Sequence, residues 1–398
     1  MNESAKRKSM VAQYSAAQIF YWMFSCCTAG YGAVFLRDRG FTNTSLGMIL
    51  AFANIFGLLL SSVLASVIDR SKRINVFHCL FSCMALAFVL DVMLIFVKGN
   101  GLTVAGTTIL LYSTTAAVQP LINELCFYLD HTGRYIKYGF SRSMGSLFYV
   151  PTTFLVGKLC SRLSGDILPE LALITVLMLS AVFFVILRLR KKSSPGEADR
   201  SRPGGQGVTM AQFIKNNKRY FVFCIGMTAV FYSQFMTSNF MINIVEDLGG
   251  DAAGVGIMQA LNAAWEIPFM LCYTRITRNL HCSTVIIFAS VMSVIKVLAI
   301  ARVPTLTGYY LLSVTQGLTY ALLTPALVDY ASIVVSYKDS AKAQSFSIST
   351  NTLATMLSAL IGGAMLDAMS VKSVLLISAC VCCAGTLVTV LAVDRKKA

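Results

Sequence analysis

The stretch VKSVLLISACVCCAGTLVTVLAV at residues 371–393 holds one charged residue, Lys372, in a run long enough to cross a membrane. An α-helix rises about 1.5 Å per residue, so about twenty apolar residues span roughly 30 Å of bilayer hydrocarbon. Of the 398 residues, 56% are hydrophobic and 13% are charged, whereas about a quarter are charged in soluble proteins. A soluble domain of this length could not bury so much apolar surface. The stretch therefore predicts a membrane-spanning helix, and the composition predicts a membrane protein.

Eleven further apolar runs of similar length precede this one, separated by charged or turn residues. None of them shows the alternation of a transmembrane β-barrel. We predict an all-α membrane protein with twelve spans, near residues 14–36, 43–67, 75–97, 102–129, 138–161, 166–187, 219–244, 252–273, 281–301, 306–335, 344–366 and 371–393.

The basic residues indicate how these spans are oriented. With twelve spans, both termini and every even-numbered loop share one side of the membrane, which carries 24 Lys and Arg residues against seven on the other side. The positive-inside rule then places both termini in the cytoplasm, in an inner-membrane protein. These short basic loops account for the net charge of +15, so no nucleic-acid partner is expected. The twelve cysteines and three histidines show no paired zinc motif, and neither a metal nor a cofactor is predicted.

One long polar segment, from Arg188 to Arg219, interrupts the apolar runs and is rich in Ser, Pro and Gly. Such a composition is typical of a flexible linker. We predict a six-helix bundle over residues 1–188, a cytoplasmic linker over 189–216 and a second six-helix bundle over 217–398.

Weak internal repeats support this division. Pro120 precedes Glu124 in span 4 as Pro325 precedes Asp329 in span 10, 205 residues later. Phe140-Ser141 with Gly157 recurs at an offset of 206 residues as Phe346-Ser347 with Gly363. Two pseudo-symmetric six-helix bundles are the architecture of alternating-access carriers, in which a small solute binds near the membrane midplane. The repeats therefore favour a carrier.

A few ionisable side chains fall inside the predicted spans, where each costs about 2.5–3.5 kcal/mol on insertion scales. Such residues usually face a partner or a water-filled cavity. They are Asp91, Glu124, Arg142, Glu266, Lys296 and Asp329.

Glu124 and Arg142 form the best candidate pair. Each lies nine residues from Gly133, in the turn between spans 4 and 5, so antiparallel helices would bring both to the same depth, roughly 13 Å from the turn. Tyr149 lies two helical turns beyond Arg142 on the same face. A pyranose ring could bind its hydroxyls to the charges and its apolar face to the aromatic ring. The alternative is a static ion pair bracing the two helices.

In the second half, Glu266 of span 8 and Lys296 of span 9 both fall near mid-depth. They could neutralise each other, and a buried glutamate is a natural site for a coupling proton; a structural ion pair is the alternative. Asp329, near the cytoplasmic end of span 10, is a candidate gating residue, and Asp91 lies near the outer end of span 3.

The stretch Tyr138-Gly139-Phe140-Ser141-Arg142-Ser143-Met144-Gly145-Ser146, with Tyr149, resembles the lactose permease group of the major facilitator superfamily, which comprises oligosaccharide:proton symporters and their relatives. The acid 18 positions before the arginine matches Glu124. The resemblance implies that Glu124 and Arg142 hold a sugar and that Tyr149 stacks on its ring. Tyr31, in Tyr31-Gly32-Ala33-Val34-Phe35-Leu36, which is similar to the family's end of span 1, is a further candidate substrate-binding residue. Asp69 with Lys72 and Arg73 is similar to the superfamily's loop between spans 2 and 3.

The second half departs from that group. Gln316 and Thr319 stand about where those carriers place a histidine and a glutamate, so Gln316 joins the candidate proton-coupling or gating residues. Asn351 stands in place of a lysine. Glu266 resembles the acid of span 8 at a shift of about three residues, and Lys296 lies one residue from an arginine position. Uniport and proton coupling, through Glu266 or Glu124, both remain open.

The leading hypothesis is secondary transport of a sugar or oligosaccharide with a proton as co-substrate, by a monomer. A carrier of nucleosides, aromatic acids or drugs is the runner-up, followed by a sensor that uses the same fold without transport. A membrane enzyme is disfavoured because the sequence lacks metal-binding spacing, a nucleophile motif and a soluble catalytic domain.

Overall fold

The computed structural model describes residues 3–71, 74–129, 136, 138–191, 210–336 and 339–394. Throughout this part of the chain the regular structure is helical. The described residues of the first half form seven α-helices: α1 (Glu3–Cys27), α2 (Gly32–Asp38), α3 (Asn43–Arg70), α4 (Val76–Phe96), α5 (Leu102–Leu129), α6 (Tyr138–Leu163) and α7 (Leu168–Lys191). Short 3-10 turns precede α2 and α7, at Ala29–Tyr31 and Gly165–Ile167.

In the part of the second half that the structure describes there are ten α-helices: α8 (Met210–Asn216), α9 (Lys218–Asn239), α10 (Met241–Asp247), α11 (Ala252–Asn279), α12 (Cys282–Arg302), α13 (Leu306–Leu311), α14 (Val314–Leu318), α15 (Tyr320–Val334), α16 (Ser340–Ala368) and α17 (Val371–Ala392).

Ten helical segments in the described residues are long and apolar enough to cross a membrane. The two predicted spans outside this set are α5 and α6, which are 28 and 26 residues long and therefore also exceed the length that a bilayer needs. Large apolar side chains such as Leu59 and Leu387 are more than half exposed, as lipid-facing residues would be. The predicted all-α membrane fold is confirmed, and the count of twelve spans is consistent with it.

The chain divides into two compact units. Unit 1 comprises Met1–Thr42 and Ile49–Ser201, and unit 2 comprises Asn43–Met48 and Arg202–Ala398. The first six residues of α3 thus belong to unit 2. Helix α7 continues to Lys191 and α8 begins at Met210, so most of the predicted linker, residues 189–216, lies outside the described residues. The predicted domain boundaries stay a prediction.

The same set of helix pairs packs inside each unit. In unit 1, α1 packs on α6 and α7, and α4 packs on α5 and α7. In unit 2, the corresponding α9 packs on α16 and α17, and α12 packs on α15 and α17. Repeated serines mark one of these contacts: Ser141 Oγ accepts from Ser15 Oγ at 3.1 Å, and Ser347 Oγ pairs with Tyr220 Oη at 2.8 Å. The two sequence repeats therefore form units in which equivalent helices pack against each other.

Within the described ranges, three predicted spans are interrupted helices. Non-helical backbone occurs at Thr28 in the first span, at Phe240 in the seventh and at Thr319 in the tenth. Prolines do not cause these breaks, since Pro120, Pro151, Pro268 and Pro325 lie inside continuous helices. Irregular backbone at membrane depth persists only where protein or a cavity satisfies its polar groups, and the break at Thr319 lies beside a cavity.

Candidate functional site

The first candidate site is an aromatic surface in unit 1. Trp22 of α1 lies against α6, where the Arg142 guanidinium carbon is 4.0 Å from the centroid of the indole ring. The Tyr149 ring meets the indole edge-on, with 6.1 Å between ring centroids. Arg142 Nη1 also donates to Ser146 Oγ at 3.1 Å. Trp22, Arg142 and Tyr149 are all half-buried, so part of their surface remains open to a ligand.

Glycine and tyrosine neighbours hold the indole in place. A Cβ atom added at Gly145 would lie 2.5 Å from Trp22 Cδ1 and 3.2 Å from the Gln18 carbonyl oxygen, so only glycine permits this close approach. The Tyr21 ring meets the indole edge-on at 5.4 Å, and its hydroxyl donates to the Thr115 carbonyl of α5 at 3.3 Å. The surface is therefore preorganised by contacts from α1, α5 and α6.

The other residues predicted for unit 1 have different surroundings. Glu124 is half-buried on α5, and α5 packs against α1, the helix that carries Trp22. Tyr31 is fully buried, and its hydroxyl donates to the Thr153 carbonyl at 2.6 Å, so its side chain is engaged in the contact with α6. Asp69 is exposed in the last turn of α3. Lys72 and Arg73 lie outside the described residues.

The second candidate site is a cavity of about 200 Å³ inside unit 2. Its polar wall includes Gln234, Asn262, Glu266, Lys296 and Gln316. Its aromatic wall includes Phe235, Tyr309 and Tyr320. Typical small-molecule pockets measure about 300–1,000 Å³, so this cavity suits a small group rather than a complete oligosaccharide.

Hydrogen bonds link the charged residues of this cavity into a chain. Lys296 is 3% exposed, and its Nζ donates to Gln234 Oε1 at 2.9 Å and to Gln316 Oε1. Gln316 Nε2 in turn donates to Glu266 Oε1 at 2.9 Å. Gln234 Nε2 donates to Ser293 Oγ at 2.9 Å. The structure thus brings Glu266, Lys296 and Gln316 together, with the Gln316 amide connecting the carboxylate to the ammonium group.

Asp329 lies elsewhere in unit 2. Its Oδ2 accepts from the Tyr273 hydroxyl of α11 at 2.7 Å. It lines a separate, more open depression of about 410 Å³ with Arg278 and His281. The structure therefore separates Asp329 from the hydrogen-bonded chain around Lys296.

The residues that the sequence reasoning missed include Trp22, Gln234 and Asn262. Trp22 is one of two tryptophans in the chain, and Gln234 is an isolated amide in an apolar run; both features could have drawn attention. Asn262 lies one helical turn before Glu266, and its Oδ1 atom is buried without a hydrogen-bond partner. Among the described residues, no three His, Cys, Asp or Glu side chains are grouped as a metal site requires.

Comparisons with known proteins agree with this architecture. The family model described as the MFS_1 like family matches residues 11–377. A maltose permease of Geobacillus stearothermophilus is 23% identical over 369 residues, which cover 92% of this chain and 90% of the permease.

Solved structures with the same fold include the nucleoside transporter NupG and an auto-inhibited POT family peptide transporter. NupG has a TM-score of 0.76 and 17% identity, over 98% of this chain and 99% of its own. The peptide transporter has a TM-score of 0.70 and 10% identity, over 97% of this chain and 96% of its own.

The helical units and these likenesses define an integral membrane carrier for a small-molecule solute. The chain belongs to the MFS_1 like family, and the predicted resemblance to major facilitator carriers is confirmed. This membership also agrees with the prediction that the protein is a transporter rather than an enzyme.

Proposed function

We propose that this protein carries a sugar or oligosaccharide across the cytoplasmic membrane by alternating access, with a proton as co-substrate and both termini in the cytoplasm. The observation that carries the proposal is the surface formed by Trp22, Arg142 and Tyr149. It offers two aromatic rings and a guanidinium group that remain partly accessible.

A pyranose ring has the chemistry that this surface would recognise. Its axial C–H groups form an apolar face that packs on an aromatic ring, whereas its hydroxyls accept from Arg142 and donate to a carboxylate such as Glu124. Binding pockets typically combine such aromatic walls with a few polar groups that fix orientation. The likeness to a maltose permease supports the same solute class.

Proton coupling is proposed to pass through Glu266. Its carboxylate is linked through Gln316 to the buried Lys296, so its protonation would remove the negative charge that faces the ammonium group through the Gln316 amide. That imbalance would favour a rearrangement of the hydrogen-bonded chain. A single proton at Glu266 could thereby change the preferred conformation of unit 2.

A nucleoside is the second candidate solute. A nucleobase would stack on Trp22 as readily as a sugar would pack on it, and a nucleoside transporter shares the fold. A non-transporting sensor would bind a solute at the same surface without carrying it.

The test is counterflow in proteoliposomes with labelled maltose, a labelled galactoside and labelled uridine. We expect counterflow of a glycoside, its loss in Arg142→Ala, and its retention in Arg162→Ala, which removes an exposed arginine near the end of the same helix. Counterflow of uridine alone would replace the sugar hypothesis with the nucleoside one. Glycoside binding without any counterflow would support a sensor.

A further inference from the structure

Asp91 of α4 carries a buried carboxyl group that lacks hydrogen-bond partners. It is 0% exposed, and neither of its side-chain oxygens has a hydrogen-bond partner. Burial of an unpaired carboxylate costs several kcal/mol, whereas a neutral carboxylic acid in the same place costs much less. The surroundings of Asp91 therefore favour the neutral acid in this conformation.

Among the described residues, the groups around Asp91 supply no free cation. The Cys27 thiol of α1 and the Tyr112 phenol of α5 are near enough to interact with it electrostatically. The buried Arg39 guanidinium donates to the carbonyls of Leu94 and Val97 at the end of α4 and pairs with Asp166. Lys98 is also paired with Asp166, at 3.4 Å, and Glu170 of α7 is exposed.

A second buried polar group lies at the same depth. Asp91 is five residues before the end of α4, and Thr108 is six residues after the start of the antiparallel α5, so the two positions differ by only about 1.5 Å along the helix axes. The Thr108 hydroxyl oxygen is also buried without a hydrogen-bond partner. Polar groups like these are normally satisfied by a partner or by water. The helices α4 and α5, which pack against each other, thus each carry a buried polar side chain without a hydrogen-bond partner in this conformation.

We propose that Asp91 is a proton-binding site that is loaded in this conformation and emptied in another conformation of the transport cycle. Release would break the O–H bond of the carboxyl group and pass the proton to water admitted at the interface of α4 and α5, leaving the carboxylate solvated. This proposal rests on the proposed coupled transport and adds a proton site in unit 1 to Glu266 in unit 2.

Infrared difference spectroscopy of the purified protein in lipid tests the bound proton without any solute. We expect a neutral-carboxyl band at pH 7 in the wild type that is absent in Asp91→Asn and is retained in the matched control Asp329→Asn. An identical carboxyl band in wild type and Asp91→Asn would overturn the proposal.

Proteoliposomes test the release of the proton, with maltose as the probe. Each proton that moves with a solute across a gradient of one pH unit can drive about tenfold accumulation. Asp91→Asn is expected to abolish this accumulation while keeping maltose counterflow; unchanged accumulation would overturn the proposal. If the wild type does not carry maltose, the sugar hypothesis fails for this solute, and the infrared result alone decides the protonation of Asp91.

Discussion

Replacing Trp22 with leucine tests the aromatic surface of unit 1. The change removes the indole over which Arg142 lies at 4.0 Å, well within the roughly 6 Å limit for cation–π attraction. Because both side chains are half-buried, this attraction is worth about 1 kcal/mol, between its exposed and desolvated values. The Arg142 contact is present with and without solute and so does not itself enter the Kd, whereas packing of the solute on the indole is worth about 0.5–1.5 kcal/mol. Loss of that packing corresponds to a solute Kd that is roughly two- to twelvefold weaker.

The assay is isothermal titration calorimetry, in which each purified variant is titrated with the solute that counterflow identifies. Trp265→Leu is the matched control, since Trp265 is the other tryptophan, is 39% exposed and lies outside the cavity of unit 2; we expect its Kd to stay within twofold of the wild type. A Trp22→Leu variant that binds the solute as tightly as the wild type would refute the assignment of the aromatic surface.

Three further changes probe the two sites. Glu266→Gln should abolish proton-driven accumulation in proteoliposomes but leave counterflow, because an amide cannot exchange a proton; persistent accumulation would exclude Glu266 as the coupling group. Gly145→Ala should weaken solute binding, since the added Cβ would displace Trp22, and an unaltered Kd would show that the indole position is unimportant. Gln234→Leu should lower the thermal unfolding midpoint in detergent, because it removes the hydrogen bond from the buried Lys296, and a bond to a buried charge is worth about 1.5–3 kcal/mol. Gln234→Glu, which can accept the same hydrogen bond, should restore the midpoint. Equal midpoints in the wild type and both variants would argue against a stabilising role for this bond.

The membrane architecture could be predicted from the sequence because its cause is local. The bilayer demands runs of about twenty apolar residues, and a run such as residues 371–393 shows this without any knowledge of its neighbours. The internal repeat also has a local signature, since the serines of the two repeats occupy equivalent packing positions at Ser141 and Ser347.

The surroundings of individual site residues could not be predicted in this way. The contact between Trp22 and Arg142 joins residues 120 positions apart, and it depends on the missing side chain at Gly145. Gln316 attracted attention only through its position relative to a known family, but its role as a link between Glu266 and Lys296 requires three helices to converge. The breaks at Thr28 and Phe240 carry no proline, so helix propensity alone gives no sign of them.

The central claim is that the solute docks on the Trp22 surface, and a single-tryptophan protein tests it most directly. In a Trp265→Phe background, Trp22 is the only tryptophan, so any change in tryptophan emission reports on its immediate surroundings. We predict a saturable change in Trp22 emission with a midpoint that matches the half-saturation of counterflow for the same solute. Transport of that solute with no change in Trp22 emission at any concentration would contradict the claim.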